Sequence, residues 1–357
     1  MKLIIAWLLL GITFNLFSDC KTPAPSISSD LNQTDQLQPS AQTLPQEIWT
    51  MFQSEDNSYW FGSNGMGVFH QTMQGLTQYT IEDDLISNTI RGIQEDEQGM
   101  IYIETPEGVS QYDGRTFHNL TPVISTTNQW ELHPEDLWFN CNGDAGDIFR
   151  YDGNTMYQLQ LPRQDLMSAF GIDTTHERFS PYSVFGVDKD LQGNLWIGTA
   201  TAGAFRFDGD EFLWVREPEL SVLPDQRVPG VRSMLQDTDS SMLLSNFVHR
   251  YEVIQMGTMS TYKVKKGFTE DVPYFIDRLP YFNSGIRDHR NQLWMTTYSG
   301  TVYQYDGDHL LEHHVQINGK SAAIISIYED RYHNIFLCTQ NLGVLRWTGL
   351  RFDPYEL

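Results

Sequence analysis

The sequence predicts an all-β protein, a seven-bladed β-propeller of four-stranded antiparallel blades. Three observations carry that expectation. Short apolar runs rich in Val, Ile, Phe and Trp recur along the chain, and Asp, Asn and Gly separate them. Seven aromatic or apolar anchors run from Trp60 to Phe336, so 276 residues over six intervals give a mean repeat of 46. Each copy holds about four runs, which is one small sheet, too little to fold alone. Stacking such sheets around an axis buries both faces of each.

The plainest copy is residues 182–215, YSVFGVDKDLQGNLWIGTATAGAFRFDGDEFLWV. Its runs are 182–187, 195–199, 203–207 and 211–215, and Asp208-Gly209 supplies the turn before the last one. The anchor opening the second run is Trp196, and its counterparts are Trp60, Tyr102, Trp138, Leu243, Trp294 and Phe336. Each anchor is expected to pack between blades. An Asp lies six residues before the anchor in five copies, as Asp96, Asp190, Asp237, Asp288 and Asp330. Recurrence argues for a structural task, capping the turn after the innermost strand. Downstream, Gly67, Gly108, Gly203, Gly300 and Gly343 open the third strand, and Asp-Gly turns follow at 113, 152, 208 and 306.

Taken together, the aspartate, its turn, Gly-Asn-Leu-Trp-Ile-Gly-Thr, and a third strand ending in Asp-Gly resemble the two-component regulator propeller repeat. The resemblance covers roughly residues 47–357. It is close in copies 4, 6 and 7 and weak in copies 3 and 5. It implies a propeller of the kind found in periplasmic sensor halves of membrane histidine kinases, and it carries over no catalytic residue. Such sensors add a second propeller, a β-sandwich and a membrane helix. Here one propeller stands without a kinase or receiver segment, so no signalling output is expected from this chain alone.

The N-terminal residues read as an export signal. Lys2 precedes an apolar run from Leu3 to Phe17, which is short for a spanning helix of roughly 20 residues. The run ends at Ser18-Asp19-Cys20, and a cysteine there resembles the lipidation site of a bacterial lipoprotein, although Asp19 stands where a small residue usually does. Residues 1–20 are therefore expected to be a signal peptide with Cys20 lipidated, giving a periplasmic or cell-surface lipoprotein. Secretion with cleavage nearby and an uncleaved anchor are the alternatives. Residues 21–46, rich in Pro, Ser, Thr and Gln, read as a flexible tether, and 47–357 as the propeller.

A net charge of −23 argues against nucleic acid and against anionic membrane surfaces, so membrane contact is expected only through the lipid. The basic cluster Lys263, Lys265 and Lys266 reads as a solvated strand face. Cys141 and Cys338 fall in copies 3 and 7, too far apart in a ring for a disulfide. Two copies are stretched, at 161–181 and at 254–282. Loops there should emerge beside the second-to-third-strand loops, on the face where ligands usually bind.

Candidate ligand-binding residues on that face are Asn64, Glu107, Asn142, Asp144, Tyr298 and Asn341, with His176 and Arg178 leaning in from the first insertion. The segment His176-Glu177-Arg178, near Arg163 and Asp165, is first of all an exposed polar loop. Asn142, Asp144 and Asp147 alternate oxygen side chains that would suit Ca²⁺, but the glutamate and spacing of an EF-hand loop are missing. His309, His313 and His314 lack a third ligand for zinc. No cofactor, metal site or catalytic set is expected. The expected function is an exported binding module for a glycan, a peptide or a partner such as a membrane sensor protein. A propeller-fold lyase or hydrolase acting on polysaccharide or ester is the alternative, and a passive interaction scaffold is a further one.

Overall fold

A computed structural model of the chain describes residues 41, 43–125, 127–141, 148–171, 180–221, 230–268, 272–275 and 281–357. The described residues fall in the unit Gln38–Leu357. They form seven four-stranded sheets and one small hairpin, Gln316–Ile317 with Lys320–Ser321. The innermost strands are Ile48–Gln53, Gly92–Glu95, Leu137–Asn140, Val184–Lys189, Met234–Gln236, Ser284–Arg287 and Ile324–Glu329. Each packs against the next, and the last packs against the first, so the ring is closed.

The turn after the inner strand shows why the repeat is spelled as it is. In blade 4, Asp190 Oδ1 accepts from the backbone N–H of Gln192 (3.0 Å) and Asn194 (2.9 Å), while Oδ2 accepts from Trp196 Nε1 at 3.1 Å. Blade 6 repeats the arrangement, with Arg290 N–H, Gln292 N–H and Trp294 Nε1 donating to Asp288 at 2.9, 2.8 and 2.9 Å. In blade 2 the Tyr102 hydroxyl takes the indole's place, donating to Asp96 at 2.8 Å. Phe336 of blade 7 has no donor, and there Asp330 accepts from the Tyr59 hydroxyl of blade 1 at 2.8 Å. A buried carboxylate thus caps the turn and holds the anchor in one rotamer. The fourth turn residue is left-handed in six blades, as Asn57, Gly99, Gly193, Ser240, Asn291 and His333, with φ between 66° and 84°.

The core is divided into seven clusters, and each joins one anchor to the following blade. Trp196 packs with Val231, Met234, Met242, Leu244 and Tyr251 of blade 5. Trp60 packs with Ile93, Ile101, Ile103 and Tyr112 of blade 2. Close approach needs a small residue two places beyond the anchor. A Cβ on Gly198 would lie 2.2 Å from Val231 O, so only glycine lets blade 5 seat there.

Blades 1 and 7 are each built from consecutive strands, so side chains and loop backbone close the ring without a shared sheet. Besides Tyr59–Asp330, the Tyr328 hydroxyl accepts from Gln53 N–H (3.0 Å), Arg331 Nη1 donates to Ser54 O (2.9 Å), and Gly343 N–H donates to Gln46 O (2.7 Å). Phe336, Cys338 and Val344 supply apolar contact with Ile48, Met51, Phe61 and Phe69.

Blade 3 departs from the pattern. Its anchor strand, Leu137–Asn140, is itself the innermost, and its fourth strand is Val123–Ile124, running parallel to Met156–Leu159 at the outer edge. The stretch that would supply an inner strand carries Pro122 and Pro134 and no apolar run beyond Val123–Ile124, so it cannot sustain a ladder. It passes outside instead. Trp130 N–H donates to Gly209 O at 2.6 Å, and its ring packs on Trp138, Tyr157 and Phe207. The chain then enters at Asp136, whose buried carboxylate takes both Nε (2.8 Å) and Nη2 (3.0 Å) of Arg150.

Two readings of the stretched copies change. Residues 254–266 are mostly strand, completing the long hairpin His249–Met256 and Met259–Lys266, because alternation continues through Val253, Tyr262 and Val264. Its tip, a third-to-fourth-strand turn, lies on the face opposite the second-to-third-strand loops. Within 161–181, Leu166–Phe170 is a short helix whose N-cap is Asp165, accepting from Ser168 N–H at 3.0 Å. Lys265 pairs with Glu252 (3.0 Å) and Asp239 (3.3 Å) on the exposed hairpin face. Cys141 and Cys338 are not joined in a disulfide, and burial pushes the Cys338 thiol up to about 12.

Two substitutions test the aspartate–anchor coupling. Blade 1 has Ser54 at the aspartate position, and the buried Trp60 Nε1 lacks a hydrogen-bond partner. Ser54→Asp should stabilise the protein by about 1 kcal/mol, read as a rise in Tm of about 2 °C. Asp190→Ala strands an indole N–H and two backbone N–H groups, and should cost about 3 kcal/mol in urea unfolding.

Candidate ligand site at the propeller axis

The missing inner strand of blade 3 opens a cleft of about 330 Å³ beside the axis, between blades 2 and 4. Arg91, Gln94, Glu104, Trp138, Asn140, Phe185, Asp188 and Lys189 line it. Backbone groups that an inner strand would have paired are met by side chains. Gln94 Nε2 donates to Trp138 O at 2.7 Å, and the Glu104 carboxyl accepts from Asn140 N–H. Glu104 stands two residues beyond the anchor Tyr102, where blades 1 and 4 carry Gly62 and Gly198. Blade 3 sends no inner strand over that position, so a long side chain fits.

At the mouth, the position eleven residues before the anchor carries Trp49, Arg91, Phe185, Arg232, Asn283 and Ile325 in the six blades other than blade 3. Trp49, Phe185 and Ile325 are the extra residues of β-bulges, skipped by the pairing of their inner strands with the second strands. A bulge re-aims its side chain out of the ladder. Each arginine then stacks on the aromatic ring of the preceding blade. Arg91 Cζ lies 4.2 Å from the centroid of Trp49, and Arg232 Cζ lies 3.9 Å from that of Phe185.

The two arginines differ electrostatically. Arg91 faces Glu47, Glu104 and Glu107, which offset the lowering of its pKa by burial. Glu47 Oε1 accepts from Trp49 Nε1 and Asn64 Nδ2, both at 3.0 Å, and Asn64 Oδ1 accepts from Arg91 Nη1 at 3.4 Å. Arg232 has no carboxylate partner among the described residues. It hydrogen-bonds the Tyr281 hydroxyl and lies 6.0 Å from the ring of Tyr298, which is 45% exposed.

Glu104 is 8% exposed, and burial raises its carboxyl from 4.5 to about 8, against the lowering by Asn140 N–H and Arg91. It is therefore largely protonated at neutral pH. Asp188 is exposed in the same cleft, so water offsets much of the upward push from the surrounding strands. Lys189 Nζ is held by Pro134 O (2.7 Å) and Asp136 O (3.1 Å).

Of the residues singled out in the sequence, Asn64, Glu107 and Tyr298 border this mouth. Asn341 does not present a free amide. It accepts from Ala323 N–H and donates to Ser321 O, both at 2.9 Å, pinning the Gln316–Ser321 hairpin. Asn142, Asp144, Asp147, His176, Arg178 and Cys20 lie outside the described residues. His309, His313 and His314 do not converge: they turn to Asp306, to Gln304, and to Glu312 and Thr301, respectively. Trp49, Arg91, Glu104, Phe185, Arg232 and Tyr281 were not singled out. For Trp49, Arg91, Phe185 and Arg232 the signal was an arginine or large aromatic recurring at one repeat position, at the top of an inner strand, whereas Glu104 and Tyr281 lie off that position.

No protein-family model matches the chain, and no curated protein matches it. Solved structures do. A streptogramin B lyase superposes with a TM-score of 0.59 at 10% identity, over 85% of this chain and 93% of the lyase. The virginiamycin B lyase of Staphylococcus aureus gives 0.58 at 13%, over 84% and 94%. The extracellular domain of a putative one-component system from B. thetaiotaomicron gives 0.57 at 18%, and the match over 84% of this chain spans only 38% of that domain. What is shared is the propeller fold. At these identities the likeness carries no activity. Among the described residues, no helix is long and apolar enough to cross a membrane.

The Glu104 carboxyl sets a pH dependence. Its folded pKa is raised, so its contribution to stability is complete below about 4.5 and is lost as pH rises through about 8. Glu104→Gln should flatten that slope and be more stable than the parent at pH 8, by roughly 2–4 kcal/mol in urea unfolding.

Proposed function

We propose that the protein is an extracytoplasmic binding module, exported and lipid-anchored through Cys20, whose propeller mouth takes a glycan fragment or peptide bearing a carboxylate. One observation carries the ligand class: Arg232, with no carboxylate partner among the described residues, stands over Phe185 with Tyr281 and Tyr298 beside it. A guanidinium fixed on an aromatic face presents a planar fork to a carboxylate, and the rings offer stacking area to a sugar or side chain. The export reading rests on the Leu3–Phe17 run and the tether of residues 21–46. Together with the resemblance of the repeats, it fits service to a two-component sensing pathway in which a partner carries the kinase.

A lyase or hydrolase is the second reading, and Glu104 favours it. A protonated carboxyl beside Arg91, in a cleft opening to the axis, is a candidate general acid.

Melting of the full-length chain with uronate-containing and neutral oligosaccharides, and with acidic peptides, tests both. A carboxylate-bearing ligand at about 100 times its Kd should add roughly 2.7 kcal/mol of stability. Arg232→Ala should abolish the shift while leaving the unliganded Tm within about 2 °C of the parent. Recovery of the ligand intact supports the module, and cleavage that Glu104→Gln abolishes supports the enzyme. No shift with any anionic ligand would remove the ligand assignment.

A further inference from the structure

On the opposite face from the mouth, the turns of blades 6 and 7 bring together His289, Glu329 and His333. One nitrogen or carboxylate oxygen from each lies within 4.8 Å of the others. His289 Nδ1 is 2.6 Å from Glu329 Oε1, and His333 Nδ1 is 3.4 Å from the same oxygen. The imidazoles stack at a centroid distance of 3.9 Å. Glu329 ends the inner strand of blade 7, and His289 N–H donates to both of its oxygens at 3.2 and 3.1 Å, so the carboxylate is aimed by backbone. His333 occupies the left-handed turn position, φ 66°, that Gly99, Gly193, Asn57 and Asn291 fill in four other blades. The backbone thus places an imidazole where the repeat otherwise places glycine, asparagine or serine.

We propose that His289, Glu329 and His333 form a transition-metal site, with zinc as its first candidate, clipping blade 6 to blade 7. Two imidazole nitrogens and one carboxylate oxygen select a borderline ion such as Zn²⁺ over Ca²⁺ or Mg²⁺, which take oxygen ligands. Three protein ligands leave a fourth position for water or for a group from a partner. In the metal-free arrangement a proton bridges His289 Nδ1 and Glu329. Zn²⁺ takes the Nδ1 lone pair in the tautomer whose proton sits on Nε2, so Nδ1 gives up the bridging proton as Nε2 takes one from solvent, and the two atoms separate by less than an ångström to become tetrahedral neighbours, on ligand distances of about 2.0–2.1 Å. Arg290 Nε, 3.2 Å from His289 Nε2, must swing aside, because that nitrogen carries the proton once Nδ1 holds metal. Arg290 is exposed, so nothing bars the movement. The buried thiols Cys141 and Cys338 do not compete.

The test is titration of EDTA-treated, dialysed full-length protein with Zn²⁺ by calorimetry. The parent should bind one ion per chain and melt at higher temperature with zinc than without. His289→Ala and His333→Ala should each weaken binding by at least about tenfold and abolish the thermal shift. His309→Ala, at an exposed histidine on the next turn of blade 6, should do neither. Because either ligand variant could loosen the turn, Co²⁺ is added to the parent as a second readout. Visible bands of a four-coordinate ion, lost on zinc addition, support the site. Binding that survives both variants, or a parent that takes no zinc and gives no cobalt bands, overturns it.

Discussion

An aspartate that accepts from its own turn and from the anchor side chain six residues on organises blades 2, 4 and 6 of this fold. Asp190 and Asp288 each accept from two turn amides and from the anchor tryptophan, so one carboxylate joins a local turn to the core between blades. Turn, rotamer and packing are then fixed as a unit. Where the anchor lacks a donor, as at Phe336, the spare oxygen reaches across the ring seam to Tyr59. Ring closure is thereby drawn from the same device that builds each blade.

Blade 3 departs from that rule, and the candidate site follows from the departure. Without an inner strand, its anchor strand moves to the axis and leaves backbone groups facing a gap. Gln94 and Glu104 of the neighbouring blade satisfy them. Glu104 is buried by the gap's walls and keeps its proton, while Arg91 stays beside it with Glu47 and Glu107. A defect in the repeat thus becomes a polar cleft beside the axis.

The mouth uses the repeat differently. Bulges at Trp49 and Phe185 turn aromatic rings toward the opening, and the arginine of the following blade covers each ring. Carboxylates surround Arg91, whereas aromatic groups surround Arg232. The two halves of the mouth therefore differ in electrostatic surroundings, although built from the same residue types at the same repeat position.

The sequence by itself determined the blade count, the inter-blade role of the anchors and the structural use of the recurrent aspartates. These are periodic features, and each copy reports the same local physics. It also placed Asn64, Glu107 and Tyr298 on the face where the mouth lies, because antiparallel topology sends second-to-third-strand loops to one side. Only the tertiary structure decided the rest. The repeat predicted an inner strand before Trp138, whereas residues 121–136 pass outside and leave Leu137–Asn140 innermost. Burial of Glu104 depends on what blade 3 fails to place over it. The convergence of His289, Glu329 and His333 depends on how two blades are rotated against each other. No spacing along the chain encodes that meeting, since residues 40 apart become neighbours only when blade 7 stacks on blade 6.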